Sequence, residues 1–485
     1  MNGQQPPDGT STRDWQATPE SVRRLVMHLL TRLEQLQQEV ARLSERVNQN
    51  SQNSSKPPSS DPPAVKRKPP TKKGQRKRGG QPGHRGKGRK LKPPEQVSRF
   101  VISRPIACED CGALLLGEDP QPSRHQVTEL PRIEPEVVEY QVHCLRCLAC
   151  GQETRGAWPE EMPAEMPAGS FGPRLQATTG YLSGRFGVSR RDTQEMLATL
   201  FQVEMGLGSV PAQEQRLNNA LVEPVQEAQA YVRQQPVVNV DETSWQEENQ
   251  TCWLWVGSTP AITVFQLHHT RGNGGVKQLL GADFAGIPRF LGTGSDRWSA
   301  YNWLDEKQRQ LCWSHLQRDF QAMVDRGGDS ALLGRPLLVQ VEQMFALWHQ
   351  VQAAALERPA FQEAMQPICR EVEYLLEIGH LAVQHATTQA TCRNILKYKE
   401  ALWTFVDREG VEPTNNAAER ALRRPVIWRR RSFGTQSEAG SRFVERIQTA
   451  VTSLRQQHRD VLDFLTQTCQ AAISGTDPPS LLPVV

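Results

Sequence analysis

Apolar residues recur every seven positions near the start of the chain. Val22, Leu29, Leu36 and Leu43 form one row, and Val26, Leu33, Val40 and Val47 form the second. This spacing predicts a helix over residues 20–48 with an unbroken apolar seam. Valines in one row against leucines in the other favour a parallel two-stranded coiled coil. An amphipathic helix packed on its own chain is the alternative for so short a repeat. Residues 1–19 lack the pattern and read as a disordered N-terminus, and the polar run NQNSQNSSKPPSSDPP ends the seam as a linker.

Apolar periodicity then vanishes until about residue 99. Residues 49–98 hold the Ser/Pro linker and a stretch rich in Lys, Arg, Pro and Gly that cannot form a core and is expected to be disordered alone. Short half-apolar segments at 99–160 suggest a small module, and residues 165–235 return to a helical period. There FGPRLQATTGYLSGRFGVSRRDTQEMLATLF resembles two helices joined by a Gly-containing turn. It is compatible with a helix-turn-helix that offers Arg190 and Arg191 to DNA, or with a plain helical connector. From Pro236 the period changes to that of strands. VVNVDET, TCWLWVGS and AITVFQLHHT predict strands, followed by a helix from about Gly275 and a further strand at RFLGTGSD. Residues 236–326 therefore read as the first part of an α/β core. Residues 327–405 read as an all-helical insertion, with Leu337, Val341, Met344, Phe345 and Trp348 in one stripe. Residues 406–470 complete the core, and 471–485 form a C-terminal tail.

Charge sharpens this division. The net charge is +4, yet residues 62–92 alone carry thirteen Lys and Arg and no acid, leaving the rest of the chain at −9. An arm containing Lys72, Lys73, Arg76, Lys77, Arg78, Arg85, Lys87, Arg89 and Lys90 can neutralise phosphates and bind DNA strongly, with little sequence preference. A solvated linker is the plainer reading. No apolar run suggests a membrane span or signal peptide, so a cytoplasmic, nucleoid-associated protein without a membrane partner is expected. The ten Cys, scattered or in CxxC pairs, fit a reducing compartment with a metal site rather than a disulfide scaffold.

Cys108-x2-Cys111-Gly and Cys147-x2-Cys150-Gly form two knuckles of one shape, the ligand set of a closed structural Zn²⁺ site. Cys144 makes a second CxxC with Cys147 and competes as a ligand; the Gly after Cys150 favours Cys150. Free thiols in a small β module are the alternative. Cys312-x2-His315 has half of a zinc spacing without a second half nearby, and reads as structural or as an active-site neighbour.

Three acidic segments carry the chemistry: VVNVDETSW with Asp241, GTGSDRWSAYN with Asp296 and PTNNAAERALRR with Glu419. Cleaving or joining a phosphodiester is helped by two Mg²⁺ ions about 4 Å apart, and such hard cations take carboxylate oxygens. Each acid also has a plain reading. Asp241 can be a strand-end turn acid, Asp296 a helix cap, and Glu419 the partner of Asn416 in a capping box. On an extended chain Asp241 and Glu242 face opposite ways, so one of them is the ligand, and Asp241 is preferred. Arg420, Arg423, Arg424, Arg429, Arg430 and Arg431 cluster around Glu419 and can hold phosphates, or form a solvated basic helix. The Gly434 and Gly440 region after them resembles a loop that admits DNA closely.

Taken in order, GGQPGHRGKGRKL, CEDCG with CLACG, VDETSW, SDRWSAYN, CWSHLQRDF and NNAAERALRR followed by RRRSFGTQSEAG resemble the DDE transposases of the insertion sequence 66 family. The resemblance spans residues 20 to 470. It implies an RNase H-like catalytic core whose two Asp and one Glu fall on Asp241, Asp296 and Glu419, holding two Mg²⁺ (or Mn²⁺) ions. It implies cleavage at the ends of an element and strand transfer into target double-stranded DNA, by a homodimer or higher oligomer, with accessory proteins of the same element taking part. A catalytically silent DNA-binding derivative, and an RNase H-like nuclease without strand transfer, are the alternatives.

Overall fold

A central strand is covered on both faces, and in VVNV at the start of β3 (Val237–Glu247) Val238 and Val240 are fully buried on one face while Asn239 is buried on the other. The structure is a computed structural model that describes residues 11–49, 53–54, 91–159, 162, 170–290 and 309–483. The chain divides into two units. One comprises Met1–Val65, Val138–Thr199 and Val203–Val485, and the other Lys66–Val137 with Leu200–Gln202.

In the first unit, α1 (Thr12–Ala17) lies in the segment expected to be disordered; Ser11 caps it by accepting the Asp14 N–H, and Trp15 is buried. The heptad segment forms one helix, α2 (Glu20–Asn48). Its stripe is not packed away, for Leu29, Leu33, Leu36 and Val40 are each more than half exposed. Strands β1 (Cys144–Arg146) and β2 (Glu153–Arg155) pair antiparallel. Four helices follow: α3 (Pro173–Phe186), α4 (Arg190–Phe201), α5 (Ser209–Ala220) and α6 (Val222–Arg233). Gly187 ends α3 in the left-handed region with a φ of 65°, the conformation a helix C-terminus favours for glycine.

β3 joins β4 (Gln250–Ser258) through Glu248 and Asn249, both at positive φ as a two-residue hairpin of type I′ requires. β5 (Thr263–His268), helix α7 (Asn273–Leu280), β6 (Ile287–Phe290) and β7 (Gln310–Leu311) complete a five-stranded sheet of order β5-β4-β3-β6-β7. The first three strands are mutually antiparallel, while β6 runs parallel to β3 and β7 parallel to β6. β6 starts two residues before the expected RFLG, at Ile287-Pro288. Proline ordinarily argues against a strand because it lacks a ladder N–H.

Helix α8 (Trp313–Arg326) leads into α9 (Gly328–Gln352), α10 (Arg358–Leu381), α11 (Ala386–Leu396) and α12 (Glu400–Asp407). Of the stripe expected there, Leu337, Val341, Met344 and Trp348 are buried, and Phe345 is partly buried against the same core. The chain returns to the sheet with α13 (Asn416–Ser432), α14 (Glu438–Gln456) and α15 (Val461–Ser474). Val238 and Val240 face the larger core, which takes in α6 to α12 and α14. Trp245, Leu254 and Val256 face a smaller core with Ala418 and Leu422 of α13 and Val444 of α14. Among the described residues no helix is long and apolar enough to cross a membrane.

Candidate active site

β3 pairs with β6 from Val237 opposite Ile287 to Val240 opposite Phe290, the last described residue of β6, and Asp241 follows at the carboxyl end of that parallel pair while pairing with Val256 of β4. An opening at the carboxyl end of parallel strands is where sites in such sheets gather. Asp241 is buried, at 4% exposure, and its Oδ1 accepts the Glu242 N–H at 2.8 Å. Strand alternation puts it on the face of Trp245, the face that carries α13. Glu242 points the other way and is already matched: Arg271 donates to its Oε1 through Nε and Nη2, both at 3.0 Å.

Ala418 and Leu422 press α13 against the sheet, and Glu419 sits between them in sequence, part-buried. No capping box forms. Asn415, not Asn416, holds the cap position, and no side-chain cap bond is made. The Asn415 amide instead donates to the Val240 carbonyl at 2.7 Å, one residue before Asp241. The helix bearing Glu419 is thereby fixed to the strand bearing Asp241. Burial raises the Glu419 carboxyl above the ordinary carboxylate range, against the pull of Arg318 and Arg420. Its Oε1 is buried and makes no short hydrogen bond; the nearest charged or ring nitrogens are Arg318 Nη2 at 3.7 Å and His315 Nδ1 at 3.8 Å.

Sequence reasoning left the CWSH segment unresolved; it joins this corner. Cys312 accepts the Asn415 N–H at 3.3 Å, Trp313 donates its N–H to Pro413 O at 2.9 Å, and His315 Nδ1 lies 3.8 Å from Glu419 Oε1. Among the described residues, Cys312, His315 and Glu419 bring three possible metal-binding atoms within 4.8 Å of one another. The half-zinc spacing was the available signal, but it named no partner. Asp296 lies outside the described residues.

The basic cluster divides. Arg420, Arg423, Arg424, Arg430 and Arg431 are exposed along α13. Arg429 turns inward and donates to Thr243 Oγ1 at 3.0 Å, to Ser244 Oγ at 2.8 Å and to the Ser244 carbonyl, and burial lowers its pKa. Gly434 approaches backbone closely, but that of β3: a Cβ there would meet the Gln246 carbonyl oxygen at 2.2 Å, and its φ is 104°. Arg190 pairs with Glu214 of α5 at 3.0 Å, whereas Arg191 is exposed. The arm residues Lys72, Lys73, Arg76, Lys77, Arg78, Arg85, Lys87, Arg89 and Lys90 lie outside the described residues.

The two cysteine knuckles fall in different units, and each has the same local form. Gly112 N–H bonds Cys108 O at 3.0 Å, and Gly151 N–H bonds Cys147 O at 2.8 Å. The backbone N–H groups of Cys111 and Asp110 lower the Cys108 thiol below its ordinary pKa, and those of Cys150 and Ala149 do the same for Cys147. Stabilised thiolate is the ligand form, so both loops suit a thiophilic metal. Cys144 lies in β1.

Comparison with known proteins places this geometry. The family model described as "Transposase IS66 family" matches residues 169–442, more than half of the chain, and a family of unknown function (DUF6444) matches residues 4–90. An uncharacterized protein, y4qI, of Sinorhizobium fredii (strain NBRC 101917 / NGR234) is 26% identical over 246 residues, 46% of this chain and 44% of that protein. The chain thus spans less than half the length of that relative.

Proposed function

The chain belongs to the IS66 family of transposases, and on that premise we propose that it cuts DNA at the ends of an insertion sequence and joins the freed ends to target DNA, at a site made by Asp241, Asp296 and Glu419. The observation that carries this reading is the hydrogen bond from Asn415 to Val240, which brings the helix of Glu419 onto the sheet face of Asp241. Sheet order β5-β4-β3-β6-β7, with three antiparallel strands followed by two parallel ones, supports an RNase H-like core, and α9–α12 correspond to a helical insertion.

In this mechanism Asp241, Asp296 and Glu419 hold two Mg²⁺ or Mn²⁺ ions. Bound there, the ions supply Lewis-acid activation of the attacking oxygen and stabilise the leaving one. Asp241 is held rigidly by the strand, and burial of Glu419 excludes water from one side of its carboxylate. Arg420, Arg423, Arg424, Arg430 and Arg431 position the phosphate backbone without reading bases. Water attacks at the element end first, and the freed 3′-OH attacks target DNA second, in the same site. The Cys108–Cys111 knuckle and the Cys147–Cys150 knuckle would each offer thiolates to a structural Zn²⁺. The arm over residues 62–92 supplies salt-sensitive DNA affinity, and α2 pairs protomers so that two ends are held together. Element-encoded accessory proteins, and action at the nucleoid, follow from the same reading.

The test is cleavage and strand transfer on a labelled element-end duplex with Mg²⁺, comparing the native chain with Glu419→Gln. Glutamine keeps the size and removes the charge. Joined products from the native chain alone, with DNA binding equal in both, are expected. Binding without any metal-dependent product would leave a DNA-binding protein, and cut but unjoined strands would leave a nuclease.

A further inference from the structure

Helix α8 opens with residues at a spacing of three, Cys312, His315 and Arg318, that meet the segment Pro413–Glu419. Cys312 and His315 are almost fully buried. Cys312 Sγ accepts the Asn415 N–H and so ties down the start of α13. One turn further along α8, His315 Nδ1 lies 3.8 Å and Arg318 Nη2 3.7 Å from the same atom, Glu419 Oε1.

The direction of one contact fixes the ring. Arg318 Nη1 lies 3.2 Å from His315 Nε2, and a guanidinium can only donate. Nε2 is therefore the nitrogen with the lone pair, and the proton of the neutral imidazole sits on Nδ1, the nitrogen that faces Glu419. The His315 N–H and the Arg318 guanidinium thus both face one oxygen of the carboxylate, Oε1, at ion-pair distance.

Resting on the reading of Glu419 as a metal ligand, we propose that His315 and Arg318 are positioning residues for it: they take Oε1 so that Oε2 is presented to a cation with its orientation fixed. The rival use of the same atoms is a thiophilic metal bound by Cys312, His315 and Glu419. The geometry disfavours it, because the imidazole proton occupies Nδ1 and Nε2 is held by a guanidinium. Groups behind a ligand are worth about 10–100-fold in metal affinity or activity in known sites.

The experiment is Mn²⁺ binding to the full chain, read from the resonance of free Mn²⁺, for the native protein, His315→Leu, His315→Asn, Arg318→Gln and Glu419→Gln, with thermal melting as a fold check. Glu419→Gln is expected to abolish the site. His315→Leu and Arg318→Gln are expected to weaken it about tenfold or more, and His315→Asn, which keeps a donor near the position of Nδ1, to restore most of the affinity. Should His315→Leu fail to fold, Arg318→Gln makes the same comparison from the more exposed side. Native affinity in both His315→Leu and Arg318→Gln, alongside loss in Glu419→Gln, overturns the positioning role and leaves the metal reading intact. Native affinity in Glu419→Gln sinks both. A Cd²⁺–thiolate absorbance in the native chain that Cys312→Ser removes would show instead that the cluster is itself a thiophilic site.

Discussion

Four residues along a helix rise about 6 Å and two along a strand about 6.6 Å. That near match lets Glu445, Thr449 and Ser453 of α14 each face one outward N–H of the edge strand β5. Leu267 donates to Glu445 Oε1 at 2.5 Å, Phe265 to Thr449 Oγ1 at 3.0 Å and Thr263 to Ser453 Oγ at 3.0 Å. An edge that would otherwise present a template for pairing is covered by side chains. Thr449→Val preserves volume and deletes the acceptor, leaving the buried Phe265 N–H unmatched at a cost of about 1–3 kcal/mol. Urea unfolding should show the midpoint falling for Thr449→Val and recovering in Thr449→Ser; a midpoint unchanged in the valine variant would mean that Phe265 finds another partner. None of this was legible beforehand, since a threonine in a helix announces nothing about a strand far away in sequence. The same limit applies at the site. Asp241 and Glu419, each with a plain reading of its own, were singled out with Asp296 because the three fall in one ordered set of motifs. Cys312 and His315 were not assigned, because their contacts with Asn415 and Glu419 span about a hundred residues.

Elements were more legible than contacts, because periodicity is local. The alternation in VVNVDETSW, TCWLWVGS and AITVFQLHHT gave β3, β4 and β5 nearly to their ends. Pro288 hid the start of β6, and the spacing of Asn416 and Glu419 suggested a capping box that Asn415 supplants by reaching for Val240. Helix α2 is the element whose pattern demands a partner. Its seam residues Leu29 and Leu36 are 57% and 54% exposed, while Glu45 near its end pairs with Arg326 of α8 at 2.6 Å. A second copy of α2 would offer the complementary heptad seam. Burial of each leucine is worth about 1.5–3 kcal/mol, and a dimer buries both copies. Leu29→Lys with Leu36→Lys should therefore raise the dimer dissociation constant by at least about a thousandfold, since each 1.4 kcal/mol is a factor of ten. Sedimentation equilibrium would register native dimers and variant monomers. Equal oligomeric states would assign the seam to another partner.

At the scale of the whole molecule, the separation of charge matters more than its total. Thirteen cationic residues in residues 62–92 stand against a net −9 elsewhere, so the chain's excess positive charge is concentrated in the arm. On the proposed function, the exposed Arg420, Arg423, Arg424, Arg430 and Arg431 beside Glu419 would hold phosphates at the site, where the backbone must be placed for attack. The two basic groups should therefore separate by assay. Replacing Lys72, Lys73, Arg76, Lys77 and Arg78 with Gln should flatten the dependence of log Kd on log salt, by about 0.9 for each phosphate that is no longer neutralised. It should leave the cleavage rate at saturating DNA unchanged. Replacing Arg423 and Arg424 with Gln should alter the slope by at most about 2 on the same rule, while slowing cleavage of bound DNA. Fluorescence anisotropy between 50 and 200 mM KCl, about the range over which such binding falls steeply, gives the slopes, and single-turnover cleavage gives the rates. An arm variant with the native slope would show that these residues are a solvated linker and that the phosphate-binding groups of the protein lie on α13.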